Sequence, residues 1–425
     1  MKIPLNIYMV GIGGIGMSAL AQYLKHTGKR VSGSDRDESP VVAMLRERDI
    51  QVVIGHGDVP AGTELLIYSD AIPSSNSERV QAKGRGIPEM SYFEALGEIS
   101  RTARTIAVAG THGKTTTTGM LAKILQDADK EPTAIVGSIV RDFGSNFLAG
   151  SPDLFVIEAC EYRDHVLKLS PEILVITNIE LDHTDYFPDL AALQETFRRA
   201  AEKVPAHGFI VTNPELLNVE SILKNVRARV IDYTKMAVGT LTLLGEFNRE
   251  NARAALAAAH AAFPLLSLEA GVKSLSKFQG SWRRFEYKGE TPQGALVYDD
   301  YAHHPTAIAK TIEAARQKFP GKKIVIAFHP HLYSRTKSLL NEFAEALATA
   351  DYAIVAPIYA AREELDPSVS SAILASAATQ LGGSVVALDS FDQIRDELLK
   401  EDPSSLIITM GAGDIYKVAE QIAGE

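Results

Sequence analysis

Two stretches of this chain join an apolar run to a glycine-rich turn and then to a helical pattern, and that junction restricts the fold more than any other feature. In the first, Ile7-Tyr8-Met9-Val10 leads into Gly11-Ile12-Gly13-Gly14-Ile15-Gly16 and a helical pattern from Met17 to about His26. In the second, Thr105 to Ala109 leads into Gly110-Thr111-His112-Gly113-Lys114-Thr115-Thr116 and a helix whose Met120, Leu121, Ile124 and Leu125 fall at core-facing spacing. A buried strand that turns straight into a helix opens a βαβ unit, so both stretches predict α/β layers built on parallel strands.

Further strands follow the same logic. Val31 lies in a strand that stops near Ser34-Asp35, and Gln51–Ile54 and Leu65–Tyr68 complete a first sheet of about 100 residues. Leu154–Ile157 and Ile173–Ile176 continue the second unit. After the turn-rich run Lys288 to Gly294, strands at Leu296–Tyr298, Lys323–Phe328, Tyr352–Ala356, Ser384–Leu388 and Leu406–Thr409 alternate with helices. A length of 425 residues exceeds what one core supports, and the breaks at Ser100 to Arg104 and at 289/290 predict three α/β domains: 1–100, 101–289 and 290–425. There is no internal repeat.

Composition narrows the function classes. A net charge of −10 argues against a nucleic-acid footprint, and 46% hydrophobic residues without a run of about 18 apolar ones predict no membrane span. Cys160 is the only cysteine, so no intramolecular disulfide can form, consistent with a cytoplasmic protein. Carboxylates at Glu158 and Glu161 should raise its thiol pKa, so it is read as packing. Lys2 with the apolar run to Leu20 resembles a signal peptide, but four glycines between Gly11 and Gly16 oppose that reading.

The second glycine turn carries the stronger chemical signal. It presents backbone N–H groups and a helix N-terminus to phosphate, Lys114 adds a point charge, and Thr115 offers a hydroxyl to Mg²⁺. The general phosphate-loop spacing asks for glycine where Val108 stands, so the bland alternative is a glycine turn capping a helix. Glu158 ends one apolar strand, and Asn178 and Asp182-His183 follow the next. A carboxylate and an imidazole at neighbouring strand ends can hold a divalent metal against a nucleoside triphosphate. Each alone reads more simply as a solvated strand end or a structural histidine. The adjacent His303-His304 cannot share a helix face and points to capping or substrate contact, with Pro305 suited to the first helical turn.

The first glycine turn fits a dinucleotide fingerprint, with Asp35 standing 19 residues past Gly16. Alone it would favour an NAD oxidoreductase. The same geometry cradles any pyrophosphate, and a dehydrogenase gives no reason for the second loop.

Taken together, Gly-Thr-x-Gly-Lys-Thr at Gly110, Gly245 to Asn251, Arg284-Phe285-Glu286 and Asp299 to Thr306 resemble the Mur ligases, whose loop lacks the first glycine. The likeness runs along nearly the whole chain. It implies an N-terminal Rossmann-like domain, a central P-loop ATPase domain with a mostly parallel sheet, and a C-terminal Rossmann-like domain. Gly11 to Ser18, Ser32 to Asp35, Glu158 to Arg163, His329 to Thr336, Ala361 to Glu364 and Met410 to Ile415 resemble the branch that adds L-alanine to UDP-N-acetylmuramate.

The resemblance implies ATP and Mg²⁺, with Gly110, Thr111, His112, Gly113, Lys114, Thr115 and Thr116 around phosphate and Thr115, Glu158 and His183 on the metal. Asn248 and Asn251 would lie at adenine, Arg284 at the γ-phosphate and Asp300 at the ribose side. Lys114, Glu158, His183 and Arg284 form the implied catalytic set. Gly11, Gly13, Gly14, Gly16, Ser34, Asp35 and Ser69, with the turn through Asp70 to Pro73 and Asn76 nearby, would line the UDP site. His331, Arg335 and Tyr301 would take the amino acid, an arginine fork being suited to its carboxylate. Leu332 stands where many relatives carry arginine. No lysine lies between Thr184 and Glu202, so the carbamylated lysine of other Mur ligases is not expected. A ligase attaching a preformed murein peptide to the same sugar nucleotide is the nearest alternative.

Overall fold

The computed structural model describes residues 3–361 and 363–424; Lys2 and Arg362 lie outside the described residues. Three sheets carry the chain, and their central strands arise where the sequence places short apolar runs between glycine or polar turns.

The first sheet contains β1 (Asn6–Val10), β2 (Arg30–Asp35), β3 (Gln51–Ile54), β4 (Leu65–Tyr68) and β5 (Glu89–Ser91), in the order β3-β2-β1-β4-β5. All four pairings are parallel. The reversal of strand order beside β1 opens a crevice at its carboxyl end, which is where the first glycine turn lies. The following helix, Ile15–His26, buries Met17, Leu20, Ala21 and Leu24.

The second sheet contains β6 (Arg104–Ala109), β7 (Pro132–Val140), β8 (Ser145–Leu148), β9 (Ser151–Glu158), β10 (Ile173–Ile176), β11 (Phe209–Thr212) and β12 (Arg229–Asp232). Its order is β12-β11-β10-β6-β9-β7-β8, parallel throughout except for the β7–β8 hairpin. That hairpin escapes the apolar-run criterion because Gly137 and Ser138 interrupt β7. It also ties the first two sheets together. Asn146 of β8 accepts from Gln22 Nε2 (3.0 Å) and donates to Ser18 Oγ (3.0 Å), both on the helix that follows the first glycine turn.

The third sheet contains β13 (Glu286–Glu290), β14 (Leu296–Asp300), β15 (Lys323–Phe328), β16 (Tyr352–Val355), β17 (Val385–Ala387) and β18 (Ser405–Met410), in the order β13-β14-β18-β15-β16-β17. Here the expected break at 289/290 meets a strand. β13 pairs antiparallel with β14, and the turn residues after it close a hairpin, Thr291 N–H donating to Ala295 O and Gly294 N–H to Thr291 O. The turn-rich composition therefore marks a bend inside a sheet.

By contacts the chain forms two compact units. The first comprises Met1–Glu180, Ala191–Thr242 and Glu250–Gly280 and holds the first two sheets; the second comprises Leu181–Leu190, Leu243–Arg249 and Ser281–Glu425. No helix among the described residues is long and apolar enough to cross a membrane.

The second unit is locked around a buried ion pair. Arg283 Nε donates to Asp299 Oδ2 (2.7 Å), and its other nitrogens donate to the carbonyls of Gly413 (2.9 Å) and Gly411 (2.6 Å). Both side chains are almost wholly buried, at 4% and 0% exposed. Removing one member leaves the other charge buried and unpaired. Arg283→Leu is expected to destabilise the second unit by about 3–5 kcal/mol, read as a shift in its transition in urea denaturation, while Arg316→Leu, at an exposed pair with Asp351, shifts it by less than about 1 kcal/mol.

Candidate functional site

β6 ends at Ala109, and the chain turns through Gly110 to Gly113 into the helix Lys114–Asp127. Gly113 is the N-cap, in the left-handed region at φ +83°, with no side chain capping the helix. A Cβ there would lie 2.2 Å from Asn251 Oδ1, and one on Gly110 would lie 2.1 Å from Thr177 Oγ1. Only bare backbone fits both positions, which leaves the uncapped N–H groups of the helix open to an anion.

The turn is held from the end of β10. Thr111 N–H donates to Asn178 O (3.0 Å), His112 N–H to Asn178 Oδ1 (2.9 Å), and Asn178 Nδ2 returns a bond to His112 O (3.1 Å). Thr111 Oγ1 donates to Glu180 O and accepts from Glu180 N–H, both at 2.9 Å. Asn178 thus shapes the loop. His112 Nε2 lies 3.2 Å from Glu180 Oε2. Thr116 is buried at the start of the helix.

Lys114 Nζ donates to Gly110 O (2.5 Å) and pairs with Glu161 Oε1 (3.0 Å). Burial opposes the ammonium charge, but Glu161, itself 1% exposed, together with Cys160 and Glu158 outweighs it, so Lys114 titrates above the ordinary lysine value. Thr115 Oγ1 donates to Glu158 Oε1 (3.1 Å) at the end of β9, while Glu158 Oε2 accepts from Gly137 N–H (2.7 Å). A hydroxyl and a carboxylate at the helix N-terminus form a hard oxygen set suited to Mg²⁺ beside phosphate. These residues fit the nucleotide and metal that the sequence implies. Cys160 is pushed up to about 12, first by burial and then by Glu161, and stays a thiol.

Asn251 approaches this turn from the helix Glu246–Ala262, its Oδ1 accepting from Thr117 Oγ1 at 3.3 Å. Ala252, Ala254, Ala255, Leu256 and Ala257 to Ala259 of the same helix are buried. Asn248, in the second unit, donates from Nδ2 to Leu244 O (2.6 Å).

Around the first glycine turn, Asp35 Oδ2 accepts from Gly13 N–H (2.7 Å), and Gly11 and Ile12 N–H donate to Ser34 O. Gly11 packs against Ser69, a Cβ on it falling 3.2 Å from Ser69 Cβ, and Gly14 caps the helix through backbone alone. Gly16 faces Tyr92, whose hydroxyl would lie 2.7 Å from an added Cβ. Asn76 caps the helix Ser77–Gly84, its Oδ1 accepting from the N–H groups of Glu78 and Arg79, which accounts for it structurally.

In the second unit, Arg335 is buried and donates from Nε to Asp182 Oδ1 (2.8 Å), while its Nη1 meets His331 Nδ1 (3.2 Å). Burial alone would raise the Asp182 carboxyl, but Arg335, with His183, His303 and His304, drives it well below the usual range. His303, buried beside that guanidinium, is held well below the ordinary imidazole value and stays neutral. His304 is the N-cap of the helix Pro305–Lys318, its Nδ1 accepting from Thr306 N–H (3.3 Å), as its place before Pro305 implies. His183 adopts φ +52° with its N–H bonded to Asp182 Oδ1 (2.6 Å). Arg284 lies 5.1 Å from the Tyr301 ring centroid. Leu332 is buried and takes φ +73°, which is strained for a branched side chain.

Asp300 accepts from Phe285 N–H (2.9 Å) and Ala302 N–H (2.7 Å). Burial raises its carboxyl to about 6 against the opposing pull of Arg284. Tyr92, Glu161 and Arg283 lie outside the candidate set that the sequence offers, and Asp182 enters it only as the neighbour of His183. Glu161 and Asp182 lie inside or beside quoted motifs, but their partners stand 47 and 153 residues away.

The Mur ligase middle-domain profile matches residues 108–239, the profile described as Mur ligase family, catalytic domain, matches 6–104, and the glutamate ligase domain of Mur ligases matches 283–413. The chain is 37% identical over 453 residues to a UDP-N-acetylmuramate--L-alanine ligase of Agathobacter rectalis, covering 99% of this chain and 98% of the relative. The chain belongs to the Mur ligase family. To an enzyme of the same name from Desulfitobacterium hafniense it is 39% identical over 456 residues, covering 99% and 100%. Among solved structures, the UDP-N-acetylmuramate-alanine ligase of Thermotoga maritima superposes with a TM-score of 0.80 at 26% identity, over 99% of this chain and 98% of that one. A murein peptide ligase from Psychrobacter arcticus shares the Mur ligase fold, with a TM-score of 0.72 at 24% identity, over 99% and 100%.

Two outcomes follow from the site geometry. Gly113→Ala adds strain and displaces Asn251, and is expected to lower kcat/KM for ATP about 100-fold with an unchanged circular dichroism spectrum. Asp300 has a folded pKa above its unfolded value, so its contribution to stability is present below about pH 4 and is lost as pH rises through about 6. The stability difference between wild type and Asp300→Asn should therefore change by about 2 kcal/mol between pH 4 and 7, read from urea midpoints, with wild type the loser at the higher pH.

Proposed function

We propose that this chain is an ATP-dependent ligase that joins L-alanine to the lactoyl carboxylate of UDP-N-acetylmuramate through an acyl phosphate, in peptidoglycan synthesis. The observation that carries the reading is the bare glycine turn at Gly110 to Gly113, with Lys114 and the Thr115–Glu158 pair at one helix N-terminus. The full-length similarity to ligases of that name supports the choice of substrates.

A carboxylate does not condense with an amine in neutral water, so the acid must first gain a leaving group. A lactoyl oxygen attacks the γ-phosphorus of ATP, the bond to the bridging oxygen breaks, and ADP departs with the electron pair. The α-amino group of L-alanine then attacks the acyl carbon, loses a proton, and inorganic phosphate leaves. The transferring phosphoryl group needs positioning and charge neutralisation more than covalent help. Lys114 supplies a fixed positive charge. Thr115 and Glu158 would hold Mg²⁺, with His183 a further ligand proposed from its motif, and the ion would offset charge on the phosphate oxygens when bound. Asn251 is assigned to the adenine side, with Asn248 and Asp300 assigned to adenine and ribose, and Arg284 to the γ-phosphate, on the motif match.

The first glycine turn is assigned to the UDP moiety, with Gly11, Gly13, Gly14, Gly16, Ser34, Asp35 and Ser69 around it. His331, Arg335 and Tyr301 are assigned to L-alanine. The domain limit 1–100 is retained as proposed, and the boundary between the second and third domains is moved from 289/290 to near Ser281, because β13 belongs to the third sheet. We place the enzyme in the cytoplasm, in keeping with its single cysteine, Cys160.

The deciding measurement is phosphate release from ATP with Mg²⁺ and UDP-N-acetylmuramate, comparing L-alanine, a murein tripeptide and no acceptor. Release that depends on L-alanine is expected. Dependence on the tripeptide would move the chain to the peptide-attaching branch, and no release with either acceptor would end the ligase reading.

A further inference from the structure

Between the two glycine turns runs a short segment, Tyr162–Lys168, that no part of the proposed reaction uses. It follows directly on Glu161, whose carboxylate holds Lys114 (3.0 Å). Two consecutive residues, Arg163 (φ +51°) and Asp164 (φ +59°), sit in the left-handed region without being glycine. Conformations of that kind persist only where surrounding contacts over-determine them, and they gather at functional segments.

The far end of the segment is anchored to the first sheet. His165 is buried, and its Nε2 reaches Asp70 Oδ2 at 2.5 Å, in the turn assigned to the sugar nucleotide. Its ring stacks on Phe93, with centroids 3.6 Å apart and planes within 13°. Phe93 meets Tyr92 edge to face at 4.7 Å, and the Tyr92 ring is the group packed against Gly16. Lys168 adds an ion pair to Glu94 (3.2 Å). At the near end, Val166 N–H donates to Cys160 O (2.7 Å) and Asp164 N–H to Glu161 O (3.1 Å), so the backbone at Glu161 is tied to the turn behind it.

We infer that His165 is a positioning residue that couples the sugar-nucleotide turn to the phosphate loop, acting through the strained segment on Glu161 and so on Lys114. The inference rests on the assignment of the two glycine turns made above. Its physical content is that one rigid, over-constrained segment touches both sites. A ligand that fixes Asp70 fixes the segment, holds Glu161 in place, and leaves Lys114 already aimed when nucleotide arrives. Such coupling is reciprocal and is measurable as a change in affinity at one site on filling the other.

The test is titration calorimetry of β,γ-methylene ATP with Mg²⁺ on the full chain, with and without saturating UDP-N-acetylmuramate. In the wild type, sugar nucleotide is expected to tighten the analogue at least about fivefold. His165→Ala should bring that factor below about 2 while leaving the affinity for the analogue alone within about twofold, and His165→Gln, which keeps a donor toward Asp70, should restore it. Phe93→Leu, which removes the stacked ring and retains an apolar side chain, should reduce the factor without abolishing it. Absence of coupling in the wild type, full coupling in His165→Ala, or equal loss in the alanine and glutamine variants would overturn the inference. The wild-type preparation is assayed for L-alanine-dependent phosphate release alongside. Release without coupling counts against this inference alone, whereas no release counts against the ligase reading.

Discussion

The close approach of the Thr177 and Asn251 side chains to the backbone at Gly110 and Gly113 is the constraint around which the glycine–lysine turn is arranged. Because no Cβ fits at either position, Thr177 and Asn251 can close on the turn from two directions. Asn178 then satisfies its N–H and carbonyl groups from the end of β10. An uncapped helix N-terminus would ordinarily find a serine, threonine or aspartate to satisfy its N–H groups. Its absence here keeps those donors for a ligand, and the cost is met by the bonds that hold the loop from outside.

Much of the fold could be read from the chain because its central strands are continuous apolar runs with turns at both ends. β3, β4, β10 and β15 fall where Gln51–Ile54, Leu65–Tyr68, Ile173–Ile176 and Lys323–Phe328 place them. Interruption is what hides the others. Gly137 and Ser138 break the pattern of β7, and the polar Lys288 to Glu290 make β13 look like a linker although it forms a hairpin with β14. The site was legible where a motif is local, as in the run from Gly110 to Thr116. Contacts that require tertiary closure were not. Nothing near Lys114 in sequence announces Glu161, and adjacent arginines at 283 and 284 look alike until one is found buried against Asp299.

Those adjacent arginines have different surroundings. Arg283 adopts φ +58°, and its guanidinium is used up by Asp299 and two carbonyls. Tyr301 stands between the pair, with guanidinium carbons 5.3 and 5.1 Å from its ring centroid, and its N–H donates to Arg283 O. The structural arginine therefore sets the ring against which the other arginine rests. A substitution at 283 would disturb residue 284 without touching it, so loss of activity there is not by itself a sign of contact with substrate.

The same unit holds two buried aspartates driven in opposite directions, and the difference bears on the amino-acid pocket. Asp300 receives only backbone N–H groups directly and lies beside a second carboxylate, Asp299, so burial prevails and its pKa rises. Asp182 faces the Arg335 guanidinium and three imidazoles, so attraction prevails and it stays ionised. Arg335 gives Nε and Nη2 to Asp182 and Nη1 to His331, which engages every nitrogen of the fork. A substrate carboxylate proposed to bind there would share the guanidinium with Asp182 and His331. Leu332 offers no second guanidinium, so in the proposed pocket a substrate carboxylate would meet Arg335 as a group that Asp182 already holds.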